Sequence, residues 1–322
     1  MQIIDNRGLL LRLRNPAKIT TAIPTSKAVG DHGVLVKWGV DEARVLKNLN
    51  VKDVPSPIMG MYDWPGRYKP FDHQKTTASF MTMNRRSFCF NEQGTGKTAS
   101  AIWAADFLMT QKLVKRVLII CPLSIMDSAW RTDLFSFAMH RTVDIAHGAK
   151  KKRQEIINGD AEFVIINYDG VEIVKEEVAN GGFDLIIVDE ATHYKNAQSK
   201  RWKVLASVIK PETWLWLMTG TPAAQSPVDA YGLAKLVNPK GVPRFFGAFR
   251  EMVMYKVTQF KWAPKPTATD TVFNALQPAI RFTKEQCLDL PEMTYVKREI
   301  DLTAQQKKYY ELLRKQMMAT AD

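Results

Sequence analysis

Residues Asn91 to Thr98 read NEQGTGKT, and the fold turns on this stretch. A short apolar run, SFCF from Ser87 to Phe90, leads into it, and Ile102, Ala105, Leu108 and Met109 behind it share one side of a helix. A strand that breaks into a glycine-bearing loop and then opens a helix is a physical recipe for holding phosphates. Gly94 and Gly96 let backbone N–H groups turn inward, and the helix N-terminus adds partial positive charge. Gln93 and Thr95 belong to the same loop, Lys97 can reach the β- and γ-phosphates, and the Thr98 hydroxyl can ligate Mg²⁺. The strict pattern asks for glycine where Asn91 stands. Taken alone, the stretch therefore leaves a phosphate loop and a chance GKT triplet both open.

The residues that follow weigh on that choice. VLIICP (Val117 to Pro122), TVDIAH (Thr142 to His147), EFVIINY (Glu162 to Tyr168), FDLIIVDE (Phe183 to Glu190) and TWLWLMTG (Thr213 to Gly220) are short β-rich apolar runs. Stretches at helical spacing lie between them, Ile125 to Phe137 among them. Strands alternating with helices predict βαβ units and an α/β fold, a doubly wound parallel sheet covered on both faces. Such sheets bind ligands beyond the C-terminal strand ends. Asp189 and Glu190 stand at one such end. The first can hold Mg²⁺ through water and the second can orient and deprotonate a water. An ordinary helix N-terminus also favours carboxylates, but it does not explain a pair set between a phosphate loop and a further strand-end TGTP. One helix upstream of the loop, FDHQ ends on Gln74. Its amide carries the donor and acceptor that match the N6/N7 edge of adenine, although a plain surface glutamine has the same composition.

Composition narrows the class. The 322 residues carry a formal charge of +12, which points to a polyanionic partner, nucleic acid first, against the simpler reading of a basic soluble surface. No apolar run long enough to span a membrane occurs, and the N-terminus lacks a signal-peptide core, so a cytoplasmic protein is expected. Cys89, Cys121 and Cys287 lie far apart in apolar surroundings and read as reduced thiols, not as a zinc site. Residues 1–65 read as a small basic α+β module. GLLLRLR and HGVLVKWGV are its strands, DEARVLKNL its helix with Asp41 as cap, and VPSPIMGMYDWPGRYKP a linker. Arg7, Arg12, Arg14, Lys18 and Lys27 make it basic, through DNA contact or a solvated face. Residues 66–240 form the nucleotide lobe and 241–322 an extension. Lys150, Lys151 and Lys152, with Arg153, open a helix-like stretch where cations oppose the macrodipole, which suggests an external anion or a solvated run. Tyr255 to Lys265 interleaves aromatic and basic residues, as nucleic-acid grips do and ordered surface loops also do.

In order and rough spacing, NEQGTGKT, VLIICPLS, VIINYDG, FDLIIVDEATHYKN and LMTGTP resemble the superfamily 2 helicase-like ATPases. The last two resemble the Swi/Snf branch, whose members are double-stranded DNA translocases. AAQSPVDAYGLAKLVNP and RFTKEQCLDLPEMTYVKREIDLTAQQKKYYELL extend the likeness, which covers about residues 68 to 315. Its compactness is most similar to bacteriophage and bacterial members. The resemblance implies a first RecA-like lobe that binds ATP and Mg²⁺. Gln74 reads adenine, Lys97 and Thr98 hold phosphate and metal, and Asp189 and Glu190 hold metal and water. His193, Thr219, Gly220 and Thr221 couple the nucleotide state to DNA, and Ser124, Asn167 and Tyr168 touch the DNA backbone. Three positions depart from the family. Asn91 replaces an acidic or small residue, Thr192–His193 lengthens the acidic motif, and Arg281 to Lys284 (RFTK) has one arginine where two are usual. The family places ATP between two lobes, the second supplying arginines. This chain is therefore expected to be the N-terminal part of a longer motor, nearly inactive alone. A non-enzymatic DNA-binding module is the alternative. A DEAD-box RNA helicase is a weaker one, opposed by TGTP.

Overall fold

The structure, a computed structural model, describes residues 1–223, 225–259, 261–287 and 300–319. Four short strands open the chain: β1 (Gln2–Ile4), β2 (Gly8–Arg12), β3 (Lys27–Val29) and β4 (Gly33–Lys37), an antiparallel sheet in the order β1-β2-β4-β3. Leu9 and Leu11 of β2 and Val34 and Val36 of β4 alternate inward over Ile19, Trp38 and Leu46, which makes a small core of its own. The expected strands and helix are there, the helix as Val40–Asn48. The cap is Gly39, not Asp41, which sits in the first turn and pairs with Arg44 at 3.5 Å.

The proline-rich stretch that follows is not a loose linker. Ile58 and Trp64 are buried in the main core. Trp64 meets Trp103 edge-on at 5.8 Å, the Trp103 Nε1–H donates to the Pro65 carbonyl at 2.9 Å, and the Ser56 and Thr82 hydroxyls are bonded at 2.8 Å. Large aromatic side chains recruit the stretch to the core despite its turn-forming backbone.

The main sheet contains β5 (Arg86–Cys89), β6 (Val117–Cys121), β7 (Val143–Ile145), β8 (Phe163–Asn167), β9 (Leu185–Val188) and β10 (Trp214–Met218). A hairpin of β11 (Met254–Lys256) and β12 (Trp262–Pro264) follows, and then β13 (Ala279–Ile280) joins the main sheet at one edge. Seven strands run in the order β13-β5-β10-β9-β6-β8-β7, all pairings parallel. Alternate residues feed opposite faces. Leu118, Ile120, Ile186, Val188, Leu215 and Leu217 enter one core, and Val117, Ile119, Leu185, Ile187, Trp214 and Trp216 the other. Each fully buried aliphatic side chain contributes about 1.5–3 kcal/mol relative to exposure, so the stability resides in this sheet and its two layers.

The helix after the phosphate loop, Lys97–Thr110, is buried nearly all round instead of on one face. Besides the sheet, it packs on helices Asp72–Met83 and Thr132–Phe137. The run from Leu123 to Phe137 is helical but irregular, with a wide π-type turn at Met126–Arg131 before the α-helix Thr132–Phe137. In the segment Tyr255 to Lys265, Trp262 is half-buried under the Arg250 guanidinium, 4.2 Å from the ring centre, and Phe260 lies outside the described residues. Residues 288–299, which carry part of the family resemblance, lie outside them as well. Met1–Leu288 form one unit. The second contributes helix Ala304–Ala319, begun by a Thr303–Gln306 capping box. Among the described residues no helix is long and apolar enough to cross a membrane.

Candidate nucleotide site

Parallel strands bring their C-terminal ends to one rim. The strand order sets the phosphate loop (after β5), TGTP (after β10) and Asp189–Glu190 (after β9) side by side. Ser124 (after β6), Asn167 (end of β8) and Lys150 to Lys152 (beyond β7) continue along the same rim.

Gly94 and Gly96 adopt φ +82° and +76°, the left-handed region the loop reading requires. At Gly96 a Cβ would stand 1.9 Å from Gln74 Nε2, so a side chain there would push the Gln74 amide off the loop. Gln74 Oε1 accepts from the Phe71 N–H at 3.0 Å, and its Nε2 lies 3.5 Å from the Thr95 carbonyl. His73, which the sequence reading passed over, bonds that carbonyl through Nε2 at 2.9 Å. Lys97 is buried, its Nζ donating to the Glu92 carbonyl at 3.1 Å.

Asn91 accounts for its own departure from the glycine pattern. It is fully buried, donating to Thr77 Oγ1 at 2.8 Å and accepting from the Phe282 N–H at 3.0 Å. Glu92 is clasped by the same downstream segment. Its N–H donates to the Phe282 carbonyl at 2.9 Å, and its carboxylate accepts from the Lys284 N–H at 3.1 Å and pairs with Arg281 at 3.7 Å. The RFTK stretch thus extends β13 along the phosphate loop, a placement no local periodicity announces.

Asp189 is 7% exposed. Its Oδ2 accepts from Trp130 Nε1–H and its Oδ1 from the Glu190 N–H, both at 3.0 Å. Burial pushes its carboxyl above the usual carboxylate range, against the pull of those two donors. Glu190 holds φ +45° and ψ +53°, a left-handed conformation costly for a side chain with a Cβ. Thr219 Oγ1 donates to Glu190 Oε2 at 3.4 Å and accepts from the Thr221 N–H at 3.3 Å. TGTP therefore touches the acidic motif directly.

His193 lies against Tyr168 with ring centres 4.5 Å apart and the rings tilted by 34°, and its Nδ1 lies 3.5 Å from Arg201. Tyr168 itself is buried and donates its hydroxyl to the Asp189 carbonyl at 2.7 Å. That places it behind the acidic motif instead of at the surface where a DNA contact was expected. Asn167 is half-buried, and its Oδ1 accepts from Arg153 at 3.0 Å. Arg153 is 6% exposed and also donates to the Gly148 and Ala146 carbonyls, so it ties the ends of β7 and β8 together and leaves the cationic run. Lys150, Lys151, Lys152 and Ser124 are exposed.

A cavity of about 460 Å³ gathers Gln74, Gln93, Gly94, Gly96, Lys97, Thr98, Asp189 and Glu190, with Ala99, Asp133 and Phe137. Larger hollows lie against the N-terminal sheet and beside Trp202, yet neither joins an anion-binding loop to carboxylates. The Thr98 hydroxyl and the Asp189 carboxylate are hard oxygen donors that suit Mg²⁺, an ion that keeps water and phosphate as most of its ligands. A phosphate loop on a parallel sheet, faced by an acidic strand end, defines a RecA-like α/β lobe.

The SNF2-related domain model matches residues 73–322, well over half the chain, so the chain belongs to that family, the Swi/Snf type of superfamily 2. An uncharacterized ATP-dependent helicase, YqhH, of Bacillus subtilis (strain 168) is 25% identical over 176 residues, which are 53% of this chain and 30% of that protein. A Caenorhabditis elegans homolog of the SWI/SNF-related matrix-associated actin-dependent regulator of chromatin subfamily A-like protein 1 is 25% identical over 198 residues, 61% of this chain and 28% of that one. The chain thus spans less than a third of the length of these curated relatives. The SWI2/SNF2 ATPase core of Sulfolobus solfataricus, solved in complex with double-stranded DNA, superposes with a TM-score of 0.59 at 20% identity, over 70% of this chain and 46% of that one. At that identity the likeness establishes the fold.

Proposed function

We propose that the chain is the ATP-binding lobe of a motor that hydrolyses ATP while tracking double-stranded DNA. The observation that carries this reading is the single cavity in which Gly94, Gly96, Lys97 and Thr98 face Asp189 and Glu190. The backbone N–H groups of Gln93 to Thr98 wrap the phosphates, and Lys97 leaves the Glu92 carbonyl for the β- and γ-phosphates. The Thr98 hydroxyl, and Asp189 through water, would hold Mg²⁺, which would supply neutralisation of phosphate charge when bound. Glu190 accepts the proton of the water that attacks the γ-phosphorus, leaving ADP and phosphate. Gln74 reads the adenine edge once its amide turns from Phe71 and Thr95.

Thr219 on Glu190 gives a route for nucleotide state to reach Gly220 and Thr221, and His193 on Tyr168 gives a second. Ser124, Asn167 and Lys150 to Lys152 line the rim that meets DNA phosphates. The name of the Sulfolobus complex, with its double-stranded DNA, supports the choice of polymer. The arginines that complete the γ-phosphate site belong to a second RecA-like lobe. ATPase assays with duplex DNA, single-stranded DNA and RNA, each with and without a second lobe from a relative, test the reading. Stimulation by duplex DNA is expected, and stimulation by RNA alone contradicts it.

A further inference from the structure

The cavity is also lined by a carboxylate that the mechanism above does not use. Trp130, Asp133 and Phe137 follow one another along one helical run, and Asp133 and Phe137 line the cavity together with Lys97 to Ala99. Trp130 marks the metal end, because its Nε1–H is bonded to Asp189 Oδ2 at 3.0 Å. Phe137 marks the far end, its ring 4.9 Å from Trp103 and 6.3 Å from Tyr68. Asp133 lies one turn beyond Trp130, about 5 Å along the axis. It lines the same cavity as Gln74, the adenine candidate.

The Asp133 carboxylate is half-buried and has no hydrogen-bond or ion-pair partner among the described residues. Burial alone holds its carboxyl above the ordinary range. Its oxygens still reach solvent, so a ligand entering the cavity exchanges water for its own donors at this carboxylate. Phosphates cannot be that ligand group, since they add negative charge to a carboxylate. A neutral diol brings two O–H donors and no charge. In a nucleotide running from Lys97 and Thr98 toward Gln74, the group at mid-cavity is the ribose.

We propose that Asp133 accepts hydrogen bonds from the ribose hydroxyls and makes the site selective for ribonucleotides. This rests on the nucleotide reading of the cavity. The test is equilibrium binding of ADP, 2′-deoxy-ADP and 3′-deoxy-ADP to the whole chain, as wild type, Asp133→Ala and Lys97→Ala. Wild type should bind ADP about tenfold more tightly than at least one deoxy analogue, as expected when a charge-assisted hydrogen bond is lost. Asp133→Ala should lose that preference while keeping its affinity for the deoxy analogue. Asp133→Asn, the conservative variant that keeps one acceptor oxygen, should fall between. A preference that survives in Asp133→Ala, or one absent from wild type, overturns the proposal. So does an equal loss for all three nucleotides, which assigns Asp133 to the phosphate or metal end. If Lys97→Ala leaves ADP binding unchanged, the nucleotide reading itself fails, and the ribose assignment with it. A thermal melt of each variant excludes misfolding, and deleting an unpartnered carboxylate should not lower it.

Discussion

Glu190 carries both strain and chemistry. Its left-handed backbone costs roughly 1–2 kcal/mol relative to glycine, and the strain persists because Asp189, Tyr168 and Thr219 hold the turn from three sides. Glu190→Gln keeps the backbone and removes the proton acceptor, so nucleotide binding should persist while turnover falls about 10²- to 10⁴-fold in single-turnover assays. Glu190→Gly should melt no lower than wild type and still be inactive, which separates strain from catalysis. A variant that melts several degrees lower contradicts the strain argument. Trp130→Phe leaves Asp189 Oδ2 without its donor, a loss of about 1–3 kcal/mol measurable by urea titration. These interactions differ in how readable they were. Lys97, Asp189 and Glu190 stand in short contiguous patterns whose spacing is itself the signal. Trp130 meets Asp189, Asp133 reaches the cavity and Arg281 pairs with Glu92 only through tertiary packing, across separations that no periodicity spans.

Among the elements, the β7–β8 rim separates structural from exposed cations. Arg153→Met strips donors from the Ala146 and Gly148 carbonyls and Asn167 Oδ1, and should destabilise the lobe by about 2–4 kcal/mol. Replacing Lys150, Lys151 and Lys152 together with alanine should change stability by about 0.5 kcal/mol or less, because they are exposed. The same triple variant should weaken duplex binding and flatten its salt dependence by roughly 0.9 for each DNA phosphate that is no longer neutralised. An unchanged salt slope removes these lysines from the DNA track. The six strands β5 to β10 were legible because β-branched apolar runs between helical stretches have few other uses. The two-residue β13 was not. Its place rests on backbone bonds from Phe88 to Pro278 and from Phe90 to Ile280, which leave no side-chain pattern. The Trp64 stretch misled for a related reason, since its turn-forming residues describe the backbone path while its aromatic rings decide the burial.

For the whole molecule, the parallel sheet gathers every proposed function on one rim and leaves the thiols inside. Cys89 and Cys121 are buried, and burial pushes the Cys89 thiol up to about 11 and raises Cys121 as well. A raised thiol pKa means little thiolate at pH 8. Native alkylation should therefore be confined to the half-buried Cys287, and all three cysteines should label only after unfolding. Rapid labelling of Cys89 in the native state contradicts the packing of β5 beneath the phosphate loop. In the proposed reading an arginine from a second lobe completes the γ-phosphate site, so adding such a lobe from a relative should raise ATP turnover by up to about 10³- to 10⁵-fold in a steady-state assay.

The central claim is that this cavity holds a nucleotide by its phosphates, and a titration of fluorescent mant-ADP into the whole chain tests it most directly. Saturable binding, competed by ADP and ATP and weakened at least about tenfold in Lys97→Ala, is the predicted result. Binding that is absent from wild type, or unaffected by Lys97→Ala, contradicts the account.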